Sequence, residues 1–236
     1  MAVNFETPGD RCGWPEAVLF DLDGTLIDSA PDIQAAVNEL LALENLPPQP
    51  LEAVRRMIGN GVVKLVERAF AAAGHPVLGS ALDKRVEVMM GIYARHLVNL
   101  TIVLPGAVDV VSALAKARVK VAVVSNKPHP LTVEILGHYG FAPHLAAIQG
   151  ADKALKTKPA PDMLLAALNV MGVKPSRALF VGDSATDSGA AAAAGMPVII
   201  VRSGYGHDAD TNFHADAFCT SLHDIPSAIE KLKEPA

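Results

Sequence analysis

The chain has few cysteines, few charged residues and no surplus of positive charge. Two cysteines in 236 residues, Cys12 and Cys219, cannot form a disulfide framework, which favours a reducing, cytosolic setting. Only 19% of the residues are charged while 50% are hydrophobic, a composition that favours a globular chain and excludes a disordered one. The formal net charge is −5 at pH 7, so the sequence lacks the basic surface that attracts nucleic acid or anionic lipid.

Long hydrophobic segments are also missing. The first fourteen residues contain no apolar core of the kind found in a signal peptide. The longest stretch of small apolar residues, 189–201, contains Pro197 and is too short to cross a bilayer. We therefore expect a cytoplasmic protein without a membrane or nucleic-acid partner, and its oligomeric state is left open.

What the chain does contain is an alternation of short apolar runs with amphipathic segments. The apolar runs, typical of buried strands, are 17–20, 120–124, 145–148, 178–181 and 197–201, with a further candidate at 216–219. Helical patterns lie between them at 107–117, 130–139, 160–172 and 186–195. This alternation predicts an α/β fold with a Rossmann-like parallel sheet covered by helices on both faces.

A long interruption separates the first two predicted strands. From residue 29 to residue 103 the hydrophobic periodicity is helical throughout. We therefore predict a discontinuous α/β core, residues 16–28 and 104–236, with an α-helical domain of residues 29–103 inserted after the first strand. Residues 1–15 form an N-terminal extension to which no pattern assigns a role.

Polar side chains follow four of the predicted strands. They occur in the segments Asp21-Leu-Asp23-Gly-Thr25, Ser125-Asn126-Lys127-Pro128, Lys158-Pro159 and Gly182-Asp183-Ser184-Ala-Thr-Asp187. In open α/β sheets, ligands bind beyond the carboxyl ends of the strands, so these segments are expected to meet at one edge of the sheet.

The acidic residues of these segments predict a metal site. Asp21, Asp183 and Asp187 supply hard oxygen ligands, which suit Mg²⁺ better than a soft metal. A bound divalent cation would also offset the repulsion between clustered carboxylates.

The remaining polar residues predict a site for a phosphate group. Ser125 and Asn126 offer a hydroxyl and an amide as donors, and Lys158 offers a positive charge. Of the two acids in Asp21-Leu-Asp23, one can attack phosphorus and form an aspartyl-phosphate. The other can protonate the leaving oxygen and then activate the water that hydrolyses the intermediate.

In sequence order, DLDGT, SN, K-P and GDSATD closely resemble the four motifs of the haloacid dehalogenase-like hydrolases, from about Ala17 to the end of the chain. The inserted helices resemble the smaller α-helical cap of that family. The resemblance implies that Asp21 is the nucleophile and Asp23 the general acid/base. It further implies that Mg²⁺ is held by Asp21, the main-chain carbonyl of Asp23, and Asp183, with Asp187 in support, and that the phosphoryl group is held by Ser125, Asn126 and Lys158.

Within the family, four further segments, DGTLIDSAPD, IGNGV, SNKP and GYG at 204–206, are most similar to phosphoglycolate phosphatases. This similarity implies a Mg²⁺-dependent phosphomonoesterase whose substrate is a small phosphorylated metabolite, 2-phosphoglycolate. Other reactions stay open: phosphatase action on a sugar phosphate or pyrophosphate, dehalogenation, phosphonate hydrolysis and a phosphosugar mutase reaction.

A non-catalytic phospho-aspartate switch, or a binding module on the same fold, is the alternative from a different class. Such a switch has no use for an acid two residues beyond the phosphorylated one, so Asp23 favours the enzyme.

Weaker candidates lie outside the four motifs. Gly59-Asn60-Gly61 is either a plain interhelical turn or a set of backbone donors for a substrate carboxylate. Lys64 and Arg68 share one helical face and would line the cleft or simply be solvated, and His129 and His207 lie near the expected mouth.

Overall fold

The computed structural model of this chain describes residues 14–206 and 213–233. Cys12 and all but the last two residues of the expected N-terminal extension lie outside these ranges, as does His207. The strands are β1 (Ala17–Phe20), β2 (Ile27–Asp28), β3 (Ile102–Val103), β4 (Lys120–Pro128), β5 (Ala147–Ala151), β6 (Ala178–Gly182), β7 (Val198–Val201) and β8 (Ala217–Cys219). The α-helices are α1 (Ala30–Ala42), α2 (Leu51–Met57), α3 (Gly61–Ala72), α4 (Ser80–His96), α5 (Ala107–Lys116), α6 (His129–His138), α7 (Asp162–Met171), α8 (Ala185–Ala194) and α9 (Ile225–Lys233).

Six of the strands form a parallel sheet in the order β5-β4-β1-β6-β7-β8. Strand β1 lies between β4 and β6, and its Leu19 is opposite Ala122 on one side and Phe180 on the other. Because these strands run in the same direction, the segments that follow β1, β4 and β6 leave the sheet at the same edge. The predicted Rossmann-like α/β fold is confirmed.

Side chains of β1 alternate between two apolar clusters, one on each face of the sheet. Val18 and Phe20 pack in the cluster that includes α5, α6 and α9, whereas Ala17 and Leu19 pack against α7 and α8. Since both faces are covered, every residue of β1 is fully buried, which explains why the strand appears in the sequence as a continuous apolar run.

Some element bounds differ from the expected ones because pairing extends beyond the apolar residues. Strand β4 continues through Ser125 to Pro128, and β5 occupies 147–151 rather than 145–148, so that polar Gln149 lies in the strand. Helix α7 begins at Asp162, so Lys158-Pro159 lies in the preceding loop.

Helices α1 to α4 are inserted between β2 and β3, which pair antiparallel as a short ribbon: Ile27 is opposite Val103, and Asp28 is opposite Ile102. Helical periodicity alone did not predict this ribbon. The insert is fixed near its exit by Asp32 of α1, whose buried carboxylate accepts hydrogen bonds from the main-chain N–H groups of Leu100 and Thr101 at 2.9 and 2.8 Å.

No helix within residues 14–206 or 213–233 combines the length and the apolar character needed to cross a bilayer.

Candidate active site

The turn after β1 brings two acids to the edge of the sheet. The main-chain N–H of Asp21 donates to the carbonyl of Val181 in β6 at 2.8 Å, which extends the parallel pairing by one residue. Gly24 then reverses the chain with φ at +90°. A Cβ at Gly24 would clash with the carboxylate of Asp183, so both the backbone conformation and the close approach require glycine here.

Asp21, Asp183 and Asp187 form a buried acidic cluster, with one oxygen of each carboxylate within 4.8 Å of the others. They come from the ends of β1 and β6 and from the first turn of α8. Lys158 lies beside them and donates from Nζ to Asp21 Oδ1 and to Asp187 Oδ1, both at 2.7 Å. The sequence prediction that these segments meet at one edge therefore holds for these four residues.

Asp187 also organises the start of α8. Its Oδ2 accepts from the main-chain N–H groups of Asp183 and Ser184 at 3.1 Å and from Ser184 Oγ at 2.7 Å. Ser184 and Asp187 thus form a capping box at the helix N-terminus. Since the protein itself occupies both oxygens of Asp187, this residue holds the cluster together and is suited to a supporting role.

The cluster carries more negative charge than its surroundings compensate. Burial raises the pKa of Asp21 to about 7, with Lys158 acting in the opposite direction and the nearby carboxylates of Asp187 and Asp23 adding to the rise. Burial and the charges of Asp187 and Asp21 also raise the pKa of Asp183 well above its ordinary value. Three carboxylates and one ammonium leave a net negative, oxygen-only donor set, which fits a hard divalent cation.

Asp23 lies in a different environment from Asp21. Its Oδ1 accepts from Ser29 Oγ at 2.5 Å and from Lys127 Nζ at 2.8 Å. Asp21 and Asp23 nevertheless line the same small cavity of about 50 Å³, which Ser125 also lines. The two acids therefore face a common space while each is paired with its own lysine.

The side-chain amide of Asn126, which the sequence suggested as a donor to phosphate, donates to main-chain carbonyls in this structure. Its Nδ2 donates to the carbonyls of Gly59 and Lys158, both at 2.9 Å, and its Oδ1 accepts from the main-chain N–H of Lys158 at 2.9 Å. Both amide protons are used, so a phosphate contact from Asn126 would have to come from its main-chain N–H. The side chain instead fixes the loop that carries Lys158 and ties it to the insert.

Lys127 and Tyr93 line the cavity beside the two acids, and the sequence reasoning did not single them out. Lys127 Nζ contacts Asp23 and also donates to Tyr93 Oη at 2.5 Å, so it connects the core to α4 of the insert. The available signal was a lysine directly after Ser125-Asn126, where the chain is still in a buried strand. Nothing in the helical pattern around Tyr93 distinguishes it from an ordinary core residue.

A family model for haloacid dehalogenase-like hydrolases matches residues 15–195. The chain belongs to this family. A phosphoglycolate phosphatase of Caulobacter vibrioides is 38% identical over 211 residues, covering 89% of each chain. One of Pseudomonas putida is 40% identical over 195 residues, 82% of this chain and 71% of that one. Among solved structures, a predicted phosphoglycolate phosphatase from Haemophilus somnus superposes with a TM-score of 0.83 at 28% identity, covering 93% of this chain and 98% of that one.

The GYG segment of this hydrolase joins the acidic cluster to the start of the insert. The main-chain N–H of Tyr205 donates to Asp183 Oδ2 at 2.5 Å, and its hydroxyl donates to Asp28 Oδ1 at 2.6 Å. The same hydroxyl accepts from the N–H groups of Ser29 and Ala30 at the beginning of α1. Through its main chain and its side chain, Tyr205 thereby fixes the position of Asp183 relative to the entry of the insert.

The weaker sequence candidates have mostly structural contacts. Asn60 donates from its amide to Thr186 Oγ1 at 3.2 Å and accepts from Arg68 at 2.8 Å, so it bridges insert and core. Lys64 pairs with Glu67 on an exposed part of α3. His129 accepts from the main-chain N–H of Gly150 through Nδ1 at 3.1 Å, which fixes the ring against β5.

Proposed function

We propose that this protein is a Mg²⁺-dependent phosphomonoesterase that hydrolyses 2-phosphoglycolate through an aspartyl-phosphate on Asp21. The observation that carries the proposal is the separation of two acids within one cavity: Asp21 is paired with Lys158 and Asp23 with Lys127. Acids with different partners can take different roles, one as nucleophile and one as acid/base. The two relatives named phosphoglycolate phosphatase, at 38 and 40% identity, support the substrate.

In the first step, a carboxylate oxygen of Asp21 attacks phosphorus, and the bond between phosphorus and the ester oxygen breaks. The leaving oxygen takes a proton from Asp23, so glycolate departs as an alcohol and the phosphoryl group stays on Asp21. Attack requires the ionised form of Asp21. Its ion pair with Lys158 at 2.7 Å favours that form against the effect of burial.

In the second step, Asp23 takes a proton from water, whose oxygen attacks phosphorus. The bond between Asp21 and phosphorus breaks, inorganic phosphate leaves, and both acids return to their starting states. Ser29 and Lys127 fix the Asp23 carboxylate in the cavity by hydrogen bonds of 2.5 and 2.8 Å, so that it can act in both steps.

The metal-binding residues in this proposal are Asp21, the main-chain carbonyl of Asp23, and Asp183, with Asp187 in support. A divalent cation bound there supplies charge stabilisation for the phosphoryl oxygens. Lys158 supplies further positive charge, and the hydroxyl of Ser125, which accepts from the main-chain N–H of Lys127 at 3.2 Å, keeps its own proton to donate to phosphate.

The inserted residues 29–103 act as a cap that limits the size of the leaving group. Two cavities reach Asp23: one of about 350 Å³, which Asp183 also lines, and a smaller one of about 50 Å³, which Asp21 also lines and which has space for a few water molecules. Apolar side chains of the insert line the smaller cavity, among them Ile58, Val62 and Leu65. A two-carbon leaving group suits the smaller cavity, which both acids line, better than a hexose or a nucleoside does.

A phosphate-release assay over phosphorylated metabolites with and without Mg²⁺ tests the proposal. We expect release that requires Mg²⁺, with a higher kcat/KM for 2-phosphoglycolate than for glucose 6-phosphate or a nucleotide. Absence of release from every substrate would favour a phospho-aspartate switch. A hexose phosphate as the best substrate would overturn the phosphoglycolate assignment and leave the phosphatase assignment standing.

A further inference from the structure

The ion pair between Lys127 and Asp23 is buried at the boundary between core and insert. The side chain of Lys127 is 2% exposed, and its Nζ lies 2.8 and 3.2 Å from the two carboxylate oxygens of Asp23. Nζ also donates to Tyr93 Oη at 2.5 Å and lies 4.8 Å from the centre of that ring. A buried ammonium is costly unless charges and hydrogen bonds compensate for it, and here Asp23 and Tyr93 do so. Because the two oxygens of one carboxylate can share one N–H, the third N–H of Lys127 Nζ is left for a ligand.

Lys127 and Lys158 pair with different acids of the site. Lys158 contacts Asp21 and Asp187, the acids on the nucleophile side, whereas Lys127 contacts Asp23. If Asp23 protonates the leaving oxygen, a group in contact with Asp23 lies on the side of the leaving group. The phosphoryl group has its cation in Lys158, which leaves Lys127 for another part of the substrate.

The surroundings of Lys127 suit an anion on a small leaving group. Of the described residues that line the 50 Å³ cavity, Lys127 alone carries a positive charge, and much of the wall contributed by the insert is apolar. Helix α3 begins at Gly61, which lines the same cavity, and the N-terminus of a twelve-residue helix favours negative charge.

Tyr93 adds a second donor at the same place. Burial raises the pKa of its hydroxyl to about 12, so the phenol keeps its proton. A phenol that accepts a hydrogen bond from Lys127 can still donate that proton to a ligand.

We infer that Lys127 Nζ and Tyr93 Oη form the leaving-group subsite and bind a carboxylate attached two bonds from the ester oxygen. Lys127 is then a specificity residue of the core, and Tyr93 is its partner in the insert. The inference rests on the proposed phosphomonoesterase function and names the group that reads the substrate carboxylate. Recognition of the substrate carboxylate then does not fall to Gly59-Asn60-Gly61, because the side chain of Asn60 is hydrogen-bonded to Arg68 and Thr186.

The test compares 2-phosphoglycolate with ethyl phosphate, which has a methyl group in place of the carboxylate. The measured quantity is the ratio of kcat/KM for the two substrates, in wild type and in Lys127→Met. Turnover of both substrates should slow in Lys127→Met, because Lys127 also holds Asp23 in place. Beyond that shared loss, we expect the ratio to fall roughly 10- to 150-fold, which corresponds to one hydrogen bond to a charged group, mainly through KM for 2-phosphoglycolate. Lys127→Arg should restore part of it. Tyr93→Phe should lower the ratio roughly 2- to 10-fold, the change expected when one neutral hydrogen bond is lost.

Lys84→Met is the matched control, because Lys84 is an exposed residue of the same helix as Tyr93 and should leave the ratio unchanged. Equal losses on both substrates in Lys127→Met would show that Lys127 only positions Asp23, and would overturn the inference. Wild type that cleaves ethyl phosphate but not 2-phosphoglycolate would instead refute the proposed substrate.

Inhibition of the wild type provides a test that does not depend on Lys127→Met folding. 3-Phosphonopropionate, the methylene analogue of 2-phosphoglycolate, should inhibit hydrolysis of an aryl phosphate more strongly than n-propylphosphonate, by roughly 10-fold or more. Tyr93→Phe should reduce this preference. Equal inhibition by the two phosphonates would contradict a carboxylate subsite.

Discussion

Removing Lys158 should destabilise the metal-free protein far more than removing an ordinary lysine. In Lys158→Met, the buried carboxylates of Asp21, Asp183 and Asp187 lose the ammonium that lies 2.7 Å from two of them. Loss of one partner from a buried ion pair costs about 3–5 kcal/mol in the free energy of unfolding. For a chain of this size that corresponds to a fall in Tm of roughly 6–20 °C.

The loss of stability should depend on pH. Without Lys158 the pKa of Asp21 rises further above its value in the unfolded chain, since the largest influence that lowers it is gone. A carboxyl whose pKa is raised by folding destabilises the native state increasingly as pH rises through the range between the two values. The difference in Tm between wild type and Lys158→Met should therefore be larger at about pH 8 than at about pH 5.5.

Thermal unfolding monitored by circular dichroism, without metal and then with saturating Mg²⁺, measures these effects. Lys84→Met serves as the control, and Mg²⁺ should recover part of the loss in Lys158→Met because it supplies positive charge to the same carboxylates. A metal-free Tm within about 2 °C of wild type would refute the reasoning, since that change is under 1 kcal/mol for a chain of this length. The same variant should bind vanadate and inorganic phosphate more weakly; unaltered inhibition would remove Lys158 from the phosphoryl site.

Three further outcomes follow from the site. Asp21→Asn is nearly isosteric but removes the nucleophile, so steady-state phosphate release should vanish while the circular dichroism spectrum stays native; appreciable turnover would contradict the role of Asp21. Asp23→Asn should slow turnover on the order of 10²–10⁴-fold and allow phospho-enzyme to accumulate with aryl phosphates; an unchanged rate would exclude Asp23 from proton transfer. Mg²⁺ should bind more tightly at about pH 8 than at about pH 6, because the cation competes with a proton on Asp21, whose pKa is about 7. If calorimetry gave a Mg²⁺ affinity independent of pH, Asp21 would not be a ligand.

The proximity of the acids, Ser125 and Lys158 could be predicted from the sequence, because strand ends gather at one edge of a parallel sheet. Runs such as 17–20 and 178–181 are buried on both faces, so their limits are visible in the sequence as a change from apolar to polar residues. Strand β5 begins two residues later and ends three residues later than predicted, because its pairing with β4 continues through Gln149 and Gly150, which are not hydrophobic.

The contacts that the sequence did not predict are tertiary contacts between residues far apart in the chain. Nothing local distinguishes the amide of Asn126, which binds backbone 67 and 32 residues away, from a donor that faces a ligand. Lys127 and Tyr93 are 34 residues apart, and only the packing of the insert on the core brings them together. Sequence motifs therefore do not reveal the roles of side chains that join two parts of a fold.

The ribbon of β2 and β3 has a consequence for how this enzyme family can change its substrates. Because Ile27–Asp28 and Ile102–Val103 pair directly, the chain departs from and rejoins the α/β sheet at one point. The closure cost of a segment with fixed ends varies only slowly with its length, so the segment between them can be exchanged as a cassette with little strain on the sheet. Asp21 and Asp23 precede the junction, and Lys158 and Asp183 follow it, so a graft that retains Ser29, which holds Asp23, would keep the phosphoryl chemistry. It would lose Tyr93 and the apolar wall of the cavity, and with them the selection of the alcohol that leaves.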